Sequence, residues 1–102
     1  MKRVREKIDP PSVGTILSEE YLKPNEITSY RLAKEIGVST TTVLDIIAGK
    51  RRLTVDTALR LSKFFGTSER FWLNLQNDID IRMHKEKFGN KLQKIRTITH
   101  AQ

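Results

Sequence analysis

SYRLAKEIGVSTTTVLDIIAGKRR, residues Ser29 to Arg52, places apolar or small side chains at Leu32, Ala33, Ile36, Val38, Val43, Ile46 and Ile47, with Gly37 and the hydroxyl run Ser39 to Thr42 between the two groups. Two helices joined by a three-residue turn need this pattern. Ala33 has to be small because the second helix crosses close to the first there. Gly37 supplies the positive φ that closes the first helix without steric cost. Val43 and Ile46 then face back into a core, and Ser39 is placed to cap the second helix. The segment reads as a helix-turn-helix.

Outward from it, cap signals mark the remaining elements. On the N-terminal side, Ser12 caps a first helix with the stripe Val13, Ile16, Leu17, Tyr21 and Leu22, ended by Pro24 and Asn25. Ile27 and Thr28 form a staple and cap that open the helix Ser29 to Ile36. The next helix is expected over Thr40 to Ala48, stopped by Gly49. On the C-terminal side, Leu53 and Thr54 repeat the staple-and-cap device before a helix over Val55 to Phe65, with Asp56 in its first turn, where the helix dipole favours an anion. That helix buries some combination of Val55, Ala58, Leu59, Leu61, Phe64 and Phe65 and stops at Gly66. Ser68 is expected to cap a long fifth helix with the stripe Phe71 or Trp72, Leu75, Ile79 and Met83. The expectation is an all-α chain of five helices in three parts: a basic arm over residues 1–11, a helix-turn-helix domain over 12–88, and a basic tail over 89–102 in which Leu92, Ile95 and Ile98 are candidates for docking.

With 102 residues the chain is long enough for one modest core and no second domain. It has no cysteine, which excludes disulfides and thiolate metal sites. Apolar runs are only a few residues long, and the basic start MKRVREKIDPP leads into no signal-type apolar core, so a soluble, cytoplasmic protein without a membrane span is expected. The net charge of +7 points to a polyanionic partner. Its distribution is uneven. Lys and Arg against Asp and Glu stand at 4 against 2 in residues 1–11, 9 against 9 in 12–81, and 6 against 1 in 82–102. The middle is neutral, and its one dense basic cluster, Lys50, Arg51 and Arg52, follows the second helix of the motif.

The blocks LAKEIGVSTTTVLDIIAGKRR (Leu32 to Arg52) and TVDTALRLSKFFGTSERFWLNLQNDIDI (Thr54 to Ile81), together with GTILSEEYLKP, give a chain that resembles the HigA/VapI-type addiction-module antidote proteins, a branch of the Cro/C1-type helix-turn-helix superfamily. It departs from that family at the start of helix one, where PPSVGTIL stands in place of a His-Pro-Gly-Glu run. The resemblance implies a five-helix, lambda-repressor-like DNA-binding domain. It also implies a homodimer on a palindromic operator in double-stranded DNA, repression of its own operon, and neutralisation of a small ribonuclease-type toxin protein. A free-standing regulator with no toxin partner is the alternative.

If the second helix of the motif enters the major groove, its first turn and the face turned away from Val43 and Ile46 carry the contacts. That names Thr40, Thr41 and Asp45, flanked by Ser39 and Thr42. Hydroxyls can bond base edges or phosphates, a threonine methyl can meet a thymine methyl, and aspartate can accept from cytosine N4. None of these is a bidentate arginine-guanine pair, so each contact is weak. Lys50, Arg51 and Arg52 suit phosphates that fix register, and the resemblance adds Ser29 and Tyr30 as phosphate contacts. Taken alone, the threonine run is an ordinary cap-rich helix start, but three threonines in an exposed first turn cost helix stability that a function would explain. Leu44 either packs under the loop or offers an apolar contact to DNA or a second subunit.

Other constellations are weaker. Phe71 and Trp72 have core spacing rather than the look of a base-stacking platform, and Asn74, Gln76 and Asn77 read as solvated or interface hydrogen-bonders. His84 and His100 lack zinc-ligand spacing. The pairs Glu19 and Glu20, or Asp78 and Asp80, diverge on a helix rather than converge on a substrate. No nucleophile-base pair, metal site or cofactor motif is visible, and an enzyme is not expected.

Overall fold

The computed structural model describes residues 11–99. The expected basic arm falls almost wholly outside the described residues, as does His100. Five helices and no strand occur among the described residues: α1 (Val13–Ile16), which runs on as a π-helical turn (Leu17–Leu22), α2 (Ser29–Ile36), α3 (Thr40–Ile47), α4 (Val55–Phe65) and α5 (Phe71–Gln93). This is the all-α fold that the cap and stripe pattern predicts.

Four helices start as expected, on hydroxyl side chains folded back onto their first turn. Ser12 Oγ accepts from the Thr15 amide, Thr28 Oγ1 from Arg31, Ser39 Oγ from Thr42 and Thr54 Oγ1 from Thr57, at 3.0 to 3.1 Å. Gly37 closes α2 at φ 78°, its amide bonded to the Ala33 carbonyl at 2.9 Å. α3 ends one residue earlier than expected, with Ala48 as its C-cap.

Three features differ from the sequence reading. First, the initial helix widens after Ile16. The Lys23 amide reaches back five residues to the Ser18 carbonyl at 3.0 Å, and Leu17 and Leu22, five apart, are both buried. An α-helix would turn one of them out. The turn then ends in a Schellman pair, Ile27 N–H to Leu22 O at 2.9 Å and Glu26 N–H to Lys23 O at 3.0 Å, which forces Glu26 to φ 56°. Second, Ser68 does not cap α5. Residues 68–70 form a turn in which the Phe71 amide bonds the Ser68 carbonyl at 3.2 Å, and Arg70 occupies the cap position with helical dihedrals and no side-chain bond. Third, α5 continues past the expected start of the tail to Gln93, with non-helical dihedrals at Phe88 (φ −119°, ψ 15°).

The core gathers Leu17, Leu32, Val43, Leu61 and Trp72, each 0 or 1% exposed. Trp72 is a core residue. Its indole makes T-shaped contacts with Tyr21 at 4.8 Å and Phe71 at 5.1 Å between ring centroids, and Tyr21 meets Phe65 at 5.1 Å. On α4 the inward side is Thr57, Ala58, Leu61 and Ser62, whereas Val55 and Leu59 face outward. On α5 it is Trp72, Gln76 and Ile79. Leu75 is only half-buried, and Met83, Leu92, Ile95 and Ile98 are exposed rather than docked.

One close approach sets the position of α3. Gly14 is buried, and a Cβ added there would overlap the Ile46 carbonyl oxygen and lie 2.7 Å from the Ile47 Cα. Only glycine lets α1 lie against the last turn of α3.

Two stability changes of opposite sign follow. Gly14→Ala should lower unfolding free energy by about 2–3 kcal/mol or more, because the neighbouring atoms are backbone and have no rotamer to change. Glu26→Gly should raise it by about 0.5–1 kcal/mol, the left-handed penalty outweighing the entropy of glycine. Urea denaturation with a shared m-value measures both. A neutral Gly14→Ala would show that the two helices are not in contact.

Candidate nucleic-acid interface

α3 buries Val43 and Ile46 and turns Thr41, Leu44 and Asp45 outward, at spacings of three and four that share one helical face. Thr41 is exposed, Leu44 is 51% exposed, and Thr40 and Asp45 are half-buried. Leu44 is therefore not packed under the loop. The flanking hydroxyls are occupied: Ser39 Oγ and Thr42 Oγ1 bond each other at 2.9 Å, in addition to the cap. Of the hydroxyl run, Thr41 presents the freest side chain to solvent.

The exit of α3 is folded back onto the helix. The Asp45 carbonyl accepts from both Lys50 N–H at 2.8 Å and Arg51 N–H at 3.2 Å, which holds the basic cluster beside the Asp45 carboxylate. Arg51 is 3.8 Å from that carboxylate. Arg52 goes the other way, to an ion pair with Asp80 on α5. Among the described residues Lys50 has no ion pair. The structure thus brings Lys50 and Arg51 to Asp45 at the exit of α3, on the face that Asp45 shares with Thr41, and ties Arg52 to the fifth helix. On α2, Tyr30 is 64% exposed and Ser29 half-buried.

The residues that hold this surface in place were not marked as such by the sequence. Gln76 is buried, and its amide clamps the backbone of Leu53, accepting from the Leu53 N–H at 2.7 Å and donating to the Leu53 carbonyl at 3.1 Å. A buried polar group bonded at both ends is a fixed post. It pins the loop directly after Arg52. Arg60 on α4 donates to the Ile36 carbonyl at 2.7 Å, closing the end of α2, and Asp56 steadies it at 3.0 Å. The four-residue spacing of Asp56 and Arg60 is readable in advance, whereas nothing local identifies Gln76, Asp80 or Gly14. No cluster of three metal-ligating side chains occurs among the described residues, and no helix there is long and apolar enough to cross a membrane.

The Helix-turn-helix family profile matches residues 19–72, from the π-turn of the first helix to the start of α5. Virulence-associated protein I of Dichelobacter nodosus is 42% identical over 73 residues, covering 72% of this chain and 68% of that protein. An addiction module antidote protein of the HigA family from Coxiella burnetii superposes with a TM-score of 0.81 at 43% identity, over 90% of this chain and 100% of that one. The chain belongs to the HigA/VapI-type helix-turn-helix family. Pseudomonas aeruginosa antitoxin HigA, in a structure with the higBA promoter, superposes with a TM-score of 0.80 at 33% identity, over 88% of this chain and 100% of that one. This HigA/VapI-type family is one of DNA-binding regulators and is not enzymatic.

Removing the clamp tests what holds the exit loop. Gln76→Ala strands the buried Leu53 N–H and carbonyl and should cost about 2–6 kcal/mol. Hydrogen exchange at the Leu53 amide should speed up with it. Unaltered protection at Leu53 would mean that the loop is held by something else.

Proposed function

We infer that this chain is a sequence-specific transcriptional repressor and the antitoxin of a toxin-antitoxin module: it binds a palindromic operator of its own operon as a homodimer and neutralises a small ribonuclease-type toxin. The observation that carries the reading is the outward face Thr41, Leu44 and Asp45, set beside Lys50 and Arg51. Its support is the likeness to an antitoxin described with its promoter. On double-stranded DNA, Thr40, Thr41 and Asp45 meet base edges, while Lys50, Arg51, Arg52, Ser29 and Tyr30 meet phosphates. Ser39 and Thr42 serve the same surface by holding the first turn of α3 through their paired hydroxyls. Arg51 and Arg52 already hold carboxylates, so a phosphate exchanges one anion for another, and Lys50 contributes a charge with no such exchange.

One motif reads one half-site. A symmetric dimer places two reading helices about 34 Å apart along the duplex and doubles the contacts. Such a protein acts in the cytoplasm, where its operator lies. Toxin masking falls to the neutral body rather than to the basic ends, with exposed Glu19 and Glu20 of the first helix suited to a basic partner. Co-expression with the product of the adjacent reading frame decides this half of the reading: rescued growth supports the antitoxin, and failure to rescue leaves a free-standing regulator.

For the DNA half, selection from a random duplex library should return a palindrome. Thr41→Ala combined with Arg51→Ala should weaken binding to it by about tenfold or more in a gel shift at fixed salt, with the fold intact by circular dichroism. Unchanged binding would rule out this surface.

A further inference from the structure

Beyond Ile79 the fifth helix leaves the core, and its side chains are nearly all exposed. Phe88 is an exception. It is half-buried and has no core to enter; its ring is flanked by the His84 ring, 4.7 Å away, and by two ammonium groups, Lys87 Nζ at 5.5 Å and Lys91 Nζ at 5.9 Å from the centroid. The face of an aromatic ring attracts ammonium groups and fixes them. The backbone leaves the helical region at this residue. Residues 82–96 carry six Lys or Arg against one acidic residue. Such a concentration of like charge opposes itself unless an anion is shared among its members.

Its position gives this cluster a direction. A shallow groove of about 370 Å³ is lined by Arg52, Asp80, Met83, His84, Lys87 and Phe88. Arg52 comes from the exit loop of α3, and the others from α5. The groove therefore joins the basic end of α5 to the loop that carries Lys50 and Arg51. Asp80 already neutralises Arg52 at one end, which leaves Lys87 and, one helical turn further, Lys91 as the cations offered at the other.

We propose that this end of α5 is a second phosphate-binding surface for the duplex whose bases α3 reads, with Lys87 and Lys91, held on the Phe88 ring, contacting the sugar-phosphate backbone. The proposal rests on the repressor reading and assigns it a further contact. Continuity with the exit loop favours DNA over a protein partner, as does the excess of lysine at this end of the helix, since lysines suit phosphates and are depleted at protein interfaces. Such contacts carry no sequence information. They add affinity and salt dependence to a reading helix whose base contacts are individually weak.

The test uses the full chain and the operator duplex recovered by selection from a random library. Lys87→Gln/Lys91→Gln should bind that duplex about fivefold to tenfold more weakly in 50 mM salt. The slope of log affinity against log salt should be shallower by about two, with the preferred sequence unchanged. A control, Lys23→Gln/Lys63→Gln, removes the same charge from positions outside the groove and should keep the wild-type slope. The proposal is overturned if the Lys87/Lys91 variant keeps the wild-type slope, or if the control flattens it equally, which would make the effect one of net charge alone. Recovery of no operator by the wild-type chain would remove the repressor reading and this inference together. An operator recovered with an unaltered slope in the variant would remove only the inference.

Discussion

The last turn of α3 rests against Gly14, backbone to backbone, with no room for a methyl group between them. Side-chain packing can adjust by rotamer changes, but a contact between main-chain atoms cannot. It fixes how far α3 stands from the first helix and so which of its sides remains outside. With Val43 and Ile46 turned to the core, Thr41, Leu44 and Asp45 can only face away. The first helix, which carries none of the proposed base contacts, therefore determines their placement. Its π-turn serves the same packing by putting both Leu17 and Leu22 into the core.

Two interactions connect the exit of α3 to α5, and they differ in strength and role. The Gln76 clamp on Leu53 is buried, so breaking it strands two backbone groups at about 1–3 kcal/mol each. The Arg52–Asp80 pair has side chains 65 and 43% exposed, and pairs of that kind contribute about 0–1 kcal/mol. The clamp holds the loop in place, and the ion pair sets its charge. Because Asp45 and Asp80 answer Arg51 and Arg52, the basic cluster is electrostatically milder than its sequence suggests. Such neutralisation weakens indiscriminate binding to any phosphate backbone more than it weakens a docked complex, in which a phosphate can take the place of the carboxylate.

What could be read from the sequence was what depends on neighbours in the chain. Ser12, Thr28, Ser39 and Thr54 cap helices because a hydroxyl three residues before an amide can reach it wherever the rest of the fold lies, and Gly37 ends α2 for an equally local reason. Ser68 carries the same local signal and fails, because the chain stays in a tight turn through Arg70 before Trp72 enters the core. Gln76 gives no such local signal: a glutamine among Asn74 and Asn77 looks solvated until the Leu53 backbone, 23 residues away, lies against it. Arg52 and Asp80 are 28 residues apart. Gly14 carries no sequence signal because its neighbour is a distant main chain rather than a side chain with a pattern. Within the proposed interface, Thr41, Asp45, Lys50 and Arg51 are legible in the sequence because they belong to one helix and its own return turn. The free hydroxyl of Thr41 and the occupied ones of Ser39 and Thr42 could be separated only in three dimensions.

The chemistry of α3 then constrains how a repressor built on it can be selective. A bidentate arginine or glutamine contact discriminates between bases by about 1–3 kcal/mol, and α3 offers neither residue type on its exposed face. Hydroxyls, one half-paired aspartate and an exposed leucine give less per contact, so a single half-site is poorly distinguished from random duplex. Two changes can raise the total. More phosphate contacts raise affinity equally for every sequence and leave the ratio of specific to non-specific binding where it was. Pairing two copies of the motif at a fixed spacing adds the small discriminations of both half-sites and also rejects sequences in which the half-sites are wrongly separated. On the proposed reading, selectivity comes from symmetry, limited by the rigidity of the link between the two reading helices. The Gln76 clamp bears on that rigidity, since it holds the exit of α3 to α5.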